Sequence, residues 1–345
     1  MKIKLANRYI GEGEKTFIIA EIGVNHNGDI KLAKKMIKKA SQIGADAVKF
    51  QTFIAEDMIS INAEKAKYQD ENSEESSQLE MVKKLELTEK DFVELSSYAD
   101  SNNILFLSSP FDKKSVDLLD KIGVPGFKIG SGEINNFELL KHIEEKGKPI
   151  IISTGMSTLD EIQETFNFIT NKEKLIILHC ITGYPSKIED ANLKFINTLK
   201  ENFKVPIGFS DHSPGIELAI ASIGLGACLI EKHFTLDKTL DGVDHQASLE
   251  PIEFKKMIDA IRNVEIAMGN GERKLCNTEL EIKKVARKSV VASCDIPKGS
   301  LLDDTMLTIK RPGTGIEPKY LNQLFGRKTN IDIKKDDIIK YDFLV

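Results

Sequence analysis

The chain has 345 residues, 41% hydrophobic and 29% charged, enough to bury a barrel-sized core and leave a small remainder. Its net charge of −5 argues against a nucleic-acid or anionic-membrane surface as partner. No apolar run approaches the roughly 18 residues of a membrane span, and the opening segment MKIKLANRYIGEGEK lacks the apolar core of a secretory leader.

Phe17–Ala20 is the first apolar run, and it ends in EIGVNHNGD. Helical spacing follows over Ile30–Ile43, with Asp29 as N-cap and Gly44 as the stop. ADAVKFQ (45–51) is the next strand. The region 54–87 is polar, partly helical and too long for an ordinary βα connection, so it reads as a lid or rim insertion. Thr88 with Asp91 forms a capping-box pattern opening a helix to Asn102. Strand signals recur at Ile104–Leu107, 126–133, 149–156, 175–185, 206–210 and 228–233. Helical signals lie between them at 112–121, 136–146, 158–170, 191–201 and 216–225, and one over 252–267 closes the series. The eight apolar runs are continuous rather than alternating, as expected of strands buried on both faces. Strict βα repetition over roughly 250 residues predicts a closed (β/α)8 TIM barrel. An open doubly wound sheet is the runner-up, but EIGVNHNG does not fit its glycine-rich turn.

Composition changes after Met268. Residues 1–267 are expected to form the barrel and 268–284 a polar linker. Residues 285–345, with short runs such as SVVAS and MLTIK and turns such as RPGTG, are expected to form a small, mostly β domain. Cys180, Cys228, Cys276 and Cys294 are widely spaced, without metal-type pairing. Free thiols in a reducing, cytoplasmic compartment are the natural reading.

In a TIM barrel the C-terminal strand ends share one face. Polar groups stand at all eight of these ends, which packing alone does not explain. Lys49 and Lys128, with the hydroxyls of Ser109, Ser131 and Ser153, have the character of a phosphate and carboxylate pocket. Pairing of each lysine with a carboxylate such as Glu21 or Glu133 is the plainer alternative. His212 and His233, at adjacent strand ends, suit a divalent metal with open positions for substrate and water. His179, inside an apolar run, is read as more exposed to the bland explanation of a packed core histidine. Glu21, Glu133 and Asp244 are candidates for proton transfer or for binding sugar hydroxyls. Arg311, in KRPGTG, is either a solvated surface arginine or a group that reaches a barrel mouth.

Taken together, EIGVNHNGD (21–29), VKFQTF (48–53), SSPFD (108–112), FKIGSGE (127–133), STGM (153–156), GFSDHS (208–213), IEKHFTLD (230–237) and KRPGTG (310–315) resemble the sialic acid synthase family. Its members are the N-acetylneuraminate, legionaminate and pseudaminate synthases. The resemblance runs in order from about residue 15 to the end. It implies a TIM barrel followed by a C-terminal antifreeze-like (SAF) domain. The implied reaction condenses phosphoenolpyruvate with an N-acyl hexosamine and releases phosphate. The implied cofactor is a divalent metal, manganese first, with magnesium or cobalt as alternatives. The implied assembly is a domain-swapped homodimer.

Carried over by position, phosphoenolpyruvate contacts fall on Lys49, Ser109, Lys128, Ser131, Ser153, Thr182 and Ser210. Sugar contacts fall on Gln51, Glu133, Tyr184 and Asp244, with Arg311 arriving from a second copy. His212 and His233 would hold the metal, and Glu21 would sit near the reacting carbons and the attacking water. The sequence departs from the family pattern in places. Thr182 stands where some members have asparagine, and VARKS near Val285 lacks a phenylalanine found in some sialate synthases. NHNG argues against the pseudaminate branch. N-acetylmannosamine is the first expectation for the sugar and a diacetamido-trideoxyhexose the alternative. A metal aldolase or lyase on the same barrel and a non-catalytic glycan- or ice-binding protein are more distant readings.

Overall fold

The structure is a computed structural model that describes residues 1–66, 69–70 and 75–345. It divides into two compact units, Met1–Gly269 and Asn270–Val345.

The first unit is built on eight parallel strands: β3 (Phe17–Gly23), β4 (Ala47–Thr52), β5 (Leu105–Pro110), β6 (Phe127–Ile129), β7 (Ile150–Ser153), β8 (Leu175–Cys180), β9 (Ile207–Asp211) and β10 (Leu229–His233). Their order around the sheet is β5-β4-β3-β10-β9-β8-β7-β6, so the first strand of the series lies beside the last. This is the expected TIM-type barrel, with β5 and β6 the two neighbours that share no ladder. Apart from a half-buried Leu105 and Gln51, every residue in these strands is buried, which explains the continuous apolar runs.

Strand side chains alternate between two faces. Phe17, Ile19, Ala47, Leu107, Ile151, Ile176, Leu178 and Leu229 face the barrel axis and form one apolar cluster. Ile18, Val48, Phe106, Phe127, Ile152, Ile177, Phe209 and Ile230 face outward and pack under the helices. That second cluster also takes the buried face of α1 (Ile30–Ile43), with Ala33, Met36, Ile37 and Ala40. Asp29 caps α1 by accepting from the Lys31 amide, and Gly44 ends it in the left-handed region. The predicted capping box at Thr88 opens the helix Glu89–Ser101.

One element had no counterpart in the sequence reading. Residues Lys2–Leu5 (β1) and Arg8–Gly11 (β2) form an antiparallel hairpin. Its Ile3, Leu5 and Ile10 join the axial cluster with Phe17 and Leu229. The hairpin therefore adds to the apolar layers beneath the site. Each of these three side chains is at most 2% exposed, a burial worth about 2 kcal/mol apiece. Its signal was the alternation in KIKL, too short to register against the longer runs that follow.

The lid-like region after β4 contains the helices α2 (Ala55–Met58) and α3 (Gln78–Leu85). They share an apolar cluster with Val24, Phe53 and Val243.

In the second unit, β11 (Ser289–Ala292) and β12 (Leu307–Lys310) pair antiparallel over a small core that includes Val290, Ile296, Leu302, Ile316 and Ile339. The stretch 268–284, expected as a linker, carries most of a helix, Asn277–Ala286. In RPGTG, a Cβ on Gly315 would come within 2.1 Å of Ile338 Cγ2 and 3.0 Å of the Ile339 carbonyl. The backbone there passes too close for any side chain.

Candidate active site

The parity that turns Leu229 inward also turns Glu231 and His233 inward. Likewise Ile19 leads to Glu21, Ala47 to Lys49 and Gln51, Leu107 to Ser109, Ile151 to Ser153, and Gly208 to Ser210. The apolar layers below thus give way to polar ones at the C-terminal strand ends. Register then sets the neighbours. Glu21 lies opposite both Lys49 and His233, and Ser210 lies opposite Cys180 and Glu231.

A cavity of about 730 Å³ opens over this layer. Its lining includes Glu21, Lys49, Gln51, Ser109, Lys128, Ser131, Glu133, Ser153, Thr182, Tyr184, Ser210, His212, His233 and Asp244. The site residues read from the barrel sequence therefore converge on one space. Arg311 belongs to the second unit, where it is exposed and its Nε donates to the Ala286 carbonyl.

At the floor, Lys49 Nζ lies 2.9 Å from Glu21 Oε2 and 3.9 Å from Glu231 Oε2. It also donates to Ser109 Oγ at 3.1 Å. Lys128 Nζ donates to Ser153 Oγ at 2.7 Å and lies 3.4 Å from Glu231 Oε1. Ser210 Oγ donates to the same Glu231 oxygen. Glu231 therefore stands between the two ammonium groups. The sequence suggested Glu21 or Glu133 as their carboxylate partners. Glu21 is one; Glu133 instead accepts from Asn136 Nδ2 at 2.7 Å. Glu231 was the missed partner, and the inward parity of L-I-E-K-H was the signal for it.

Burial sets the protonation of this group. It pushes Glu21 up to about 7, with Lys49 opposing and Glu231 reinforcing the shift. Burial pushes Glu231 up as well, but there Lys128 and Lys49 outweigh it and hold the carboxylate below its usual range. Burial also depresses Lys128, which Glu231 only partly offsets. Lys49 is raised despite its burial, because Glu21 and Glu231 both face it. The floor is thus a closed set of two cations and two carboxylates, with one carboxyl poised near neutrality.

Beside it, the His212 and His233 rings lie 5.4 Å apart. The Tyr184 ring packs 4.4 Å from His212 and 5.5 Å from His233. His212 Nδ1 bonds to the Ile181 carbonyl at 2.8 Å, which makes it the protonated nitrogen and leaves the lone pair on Nε2. His233 Nδ1 is buried with no hydrogen-bond partner, and Asp244 Oδ2 stands 3.8 Å away. Burial and the neighbouring His212 and Lys49 charges push the His233 imidazole well below its usual range. A neutral imidazole with an unused nitrogen is the donor that a divalent cation requires. Among the described residues no third His, Cys, Asp or Glu joins the pair. Burial raises Asp244 to about 6. Cys180 Sγ lies 3.9 Å from His212 Nδ1.

The structure gives His179 to packing. It is an outward residue of β8, its Nε2 bonds to the Ala191 carbonyl, and its ring sits between Phe195 and Phe209.

A family model for the NeuB family matches residues 36–273, and one for the SAF domain matches residues 287–345. The chain belongs to the NeuB family. It is 47% identical over 332 residues to an N,N'-diacetyllegionaminic acid synthase of Campylobacter jejuni, covering 95% of this chain and 99% of that one. It is 42% identical to a protein of the same name from Legionella pneumophila, over 97% of this chain and 96% of the other. Among solved structures it resembles an N-acetylneuraminic acid synthetase from Leptospira borgpetersenii in complex with citrate. That match has a TM-score of 0.72 and 36% identity, and covers 81% of this chain and 94% of the other. Membership in the NeuB family, the barrel and the SAF domain are thereby established. Among the described residues no helix is long and apolar enough to cross a membrane.

Proposed function

We propose that the chain is a nonulosonate synthase that condenses phosphoenolpyruvate with an N-acyl hexosamine, releasing inorganic phosphate and a nine-carbon 2-keto acid. The observation that carries this reading is the buried floor, where Lys49 and Lys128 flank Glu231 on the barrel axis beside the two histidines. A small, multiply charged acid suits that floor, because ammonium groups and hydroxyls supply charge and directed donors to carboxylate and phosphate oxygens.

In this reading Lys49 and Lys128 hold the anion, with Ser109, Ser131, Ser153, Thr182 and Ser210 as hydroxyl donors. Thr182 Oγ1 is buried with no hydrogen-bond partner, which leaves it available to a ligand. Gln51, Glu133, Tyr184 and Asp244 face the sugar. The enol carbon attacks the sugar aldehyde, water adds at C2, and the tetrahedral centre loses phosphate by C–O cleavage. Glu21, poised near neutrality, takes the proton of the incoming water. His212 and His233 would hold the divalent ion, manganese first. That ion would supply Lewis-acid polarisation of the aldehyde oxygen. Most of the protein's contribution is placement of the two reactants and of fixed charge.

For the sugar, the identities of 47% and 42% to legionaminic acid synthases, against 36% to an N-acetylneuraminic acid synthetase, favour a diacetamido-trideoxyhexose over N-acetylmannosamine. A domain-swapped homodimer bringing Arg311 from a second copy belongs to the same proposal, as does a cytoplasmic setting.

The test is phosphate release from phosphoenolpyruvate with a panel of N-acyl hexosamines and Mn²⁺, using phosphoenolpyruvate labelled with ¹⁸O in the bridging position. The label should leave with phosphate. Label retained in the keto acid would exclude C–O cleavage, and no phosphate release with any sugar would reject the synthase reading.

A further inference from the structure

Of the polar residues in EIGVNHNGD (21–29), only Glu21 lines the cavity. Asn25 and Asn27 reach a second loop instead. That loop, 235–248, follows β10 and brings Val243 and Asp244 to the cavity. Its two ends are closed on each other: the Leu249 amide donates to the His233 carbonyl, and the Thr235 amide to the Leu249 carbonyl. The loop therefore leaves and rejoins the barrel at one place, and closing its base does not by itself orient what lies between.

The turn after β3 grips that loop. Asn25 is 1% exposed. Its Nδ2 donates to the Phe234 carbonyl at 3.0 Å and to Ser248 Oγ at 2.8 Å. A carbonyl only accepts, so the amide nitrogen has to face Phe234, and its second proton goes to Ser248. The Ser248 hydroxyl, accepting there, donates its own single proton to the Asp244 carbonyl at 2.6 Å. Asn25, Ser248 and Asp244 thus form a directed chain in which each donor is used once. Asn27 Nδ2 donates to the Asp241 carbonyl at 2.7 Å. Gly242, at φ +143°, lets the two loops meet, since a Cβ there would lie 2.7 Å from both Asn27 Oδ1 and His245 Cδ2. Val24 and Val243 share one apolar cluster beside this seam.

The chain of donors ends on the backbone of the loop residue whose carboxyl faces the site. Asp244 is 6% exposed, and its Oδ2 stands 3.8 Å from His233 Nδ1. Holding the peptide carbonyl of Asp244 sets the point from which its side chain projects. We infer that Asn25 is a positioning residue of the site, acting through the Ser248 hydroxyl to hold the Asp244 carboxyl in place beside His233. It works from behind: neither Asn25 nor Ser248 lines the cavity. The kinetic consequence rests on the synthase reading, in which Asp244 faces the sugar; the ordering of the loop does not.

The experiment has two arms, both on the full-length chain and the variants Asn25→Ala, Ser248→Ala and the hydroxyl-retaining Ser248→Thr. In the first, hydrogen exchange is followed by mass spectrometry without substrates. The two alanine variants should speed exchange over 235–248 by roughly 2- to 10-fold, the scale of one neutral hydrogen bond. Peptides from β7 and β8 should be unchanged, and Ser248→Thr should follow the wild type. In the second, kinetics are measured with phosphoenolpyruvate, Mn²⁺ and the N-acyl hexosamine that the panel above turns over fastest. KM for the sugar should rise by a similar factor in both alanine variants, while KM for phosphoenolpyruvate stays put. In an Asp244→Ala background, Asn25→Ala should add nothing further to the sugar KM, because the group it positions is gone. Thermal unfolding identifies a variant that fails to fold; Ser248→Ala leaves the Asn25–Phe234 bond intact and then carries both arms. Wild-type loop exchange in folded alanine variants would overturn the inference. So would faster exchange with an unchanged sugar KM, or losses that add in the Asp244→Ala background, since either reduces Asn25 to a packing role. Absence of phosphate release by the wild type with every sugar would instead remove the synthase reading, and the exchange arm would still decide whether Asn25 orders the loop.

Discussion

Lys232→Met is the most informative single perturbation of the barrel. Parity turns Lys232 outward, away from the cavity, between the strands and their covering helices. Its Nζ donates to Asp211 Oδ2 at 2.6 Å and to the Ser213 carbonyl at 2.7 Å. Both side chains of the pair have 0% exposure. Asp211 Oδ1 in turn accepts from the Ser213 amide and hydroxyl. Lys232 lies opposite Asp211 in the β9–β10 ladder, and each directly precedes one of the two histidines. The pair is a crossbar that fixes the strand ends carrying His212 and His233. Burial depresses the lysine, and Asp211 counters that shift. Methionine matches the stem but leaves the Asp211 carboxylate buried without its cation. Breaking a buried pair in this way costs about 3–5 kcal/mol. At roughly 2–4 °C per kcal/mol, Tm should fall by roughly 6–20 °C. The double variant Asp211→Leu/Lys232→Met removes both charges and should recover much of that loss. Its titration with Mn²⁺, followed by electron paramagnetic resonance, should still show binding weakened about 10-fold or more, because the two histidines proposed to hold the ion have lost their support. Thermal unfolding with calorimetry supplies the stability arm. A single variant that loses less than about 1 kcal/mol, the scale of an exposed pair, would refute the reasoning on stability. Wild-type Mn²⁺ affinity in the double variant would refute it on positioning.

Other outcomes follow from separate features. His26 is 1% exposed, and burial lowers its pKa to about 4, against an unfolded value near 6.5. Between those values the unfolded chain binds the extra proton, so stability should fall as pH drops from about 6.5 to 4, by up to about 3 kcal/mol from this group. Urea midpoints across that window should show a shallower slope in His26→Asn; an unchanged slope would contradict the assignment. Gly208→Ala should destabilise by about 1–3 kcal/mol, since a Cβ there would lie 2.5 Å from the Leu229 carbonyl and 2.6 Å from Leu178 Cδ2; a wild-type Tm would show that the interior layer yields. Burial pushes the Cys228 thiol up to about 12, so iodoacetamide at pH 8 should alkylate the exposed Cys276 and Cys294 and spare Cys228 until the chain unfolds. Peptide mass spectrometry reads the order.

Much of the barrel was legible in the chain because a parallel strand buried on both faces writes itself as a continuous apolar run. The polar residue that ends each run is equally local, so Lys49, Lys128, His212 and His233 could be picked out one by one. The α1 caps and the Thr88 capping box were legible for the same reason, since their partners lie within a few residues. What tertiary structure alone decided was which of these groups meet. Glu231 counters both lysines because barrel closure brings β10 between β3 and β9 and turns its odd residues to the axis, a relation among segments up to some 200 residues apart. One wall of the cavity was hidden likewise: Met58, Ile59 and Met81 line it but look like ordinary helix-packing residues until the segment after β4 folds over the strand ends. The hairpin under the barrel was hidden because its apolar side chains find their partners in the axial cluster, whose members such as Leu107, Leu178 and Leu229 lie far along the chain. Periodicity is a property of neighbours along the chain, whereas the site depends on register and closure, which exist only after the strands have paired.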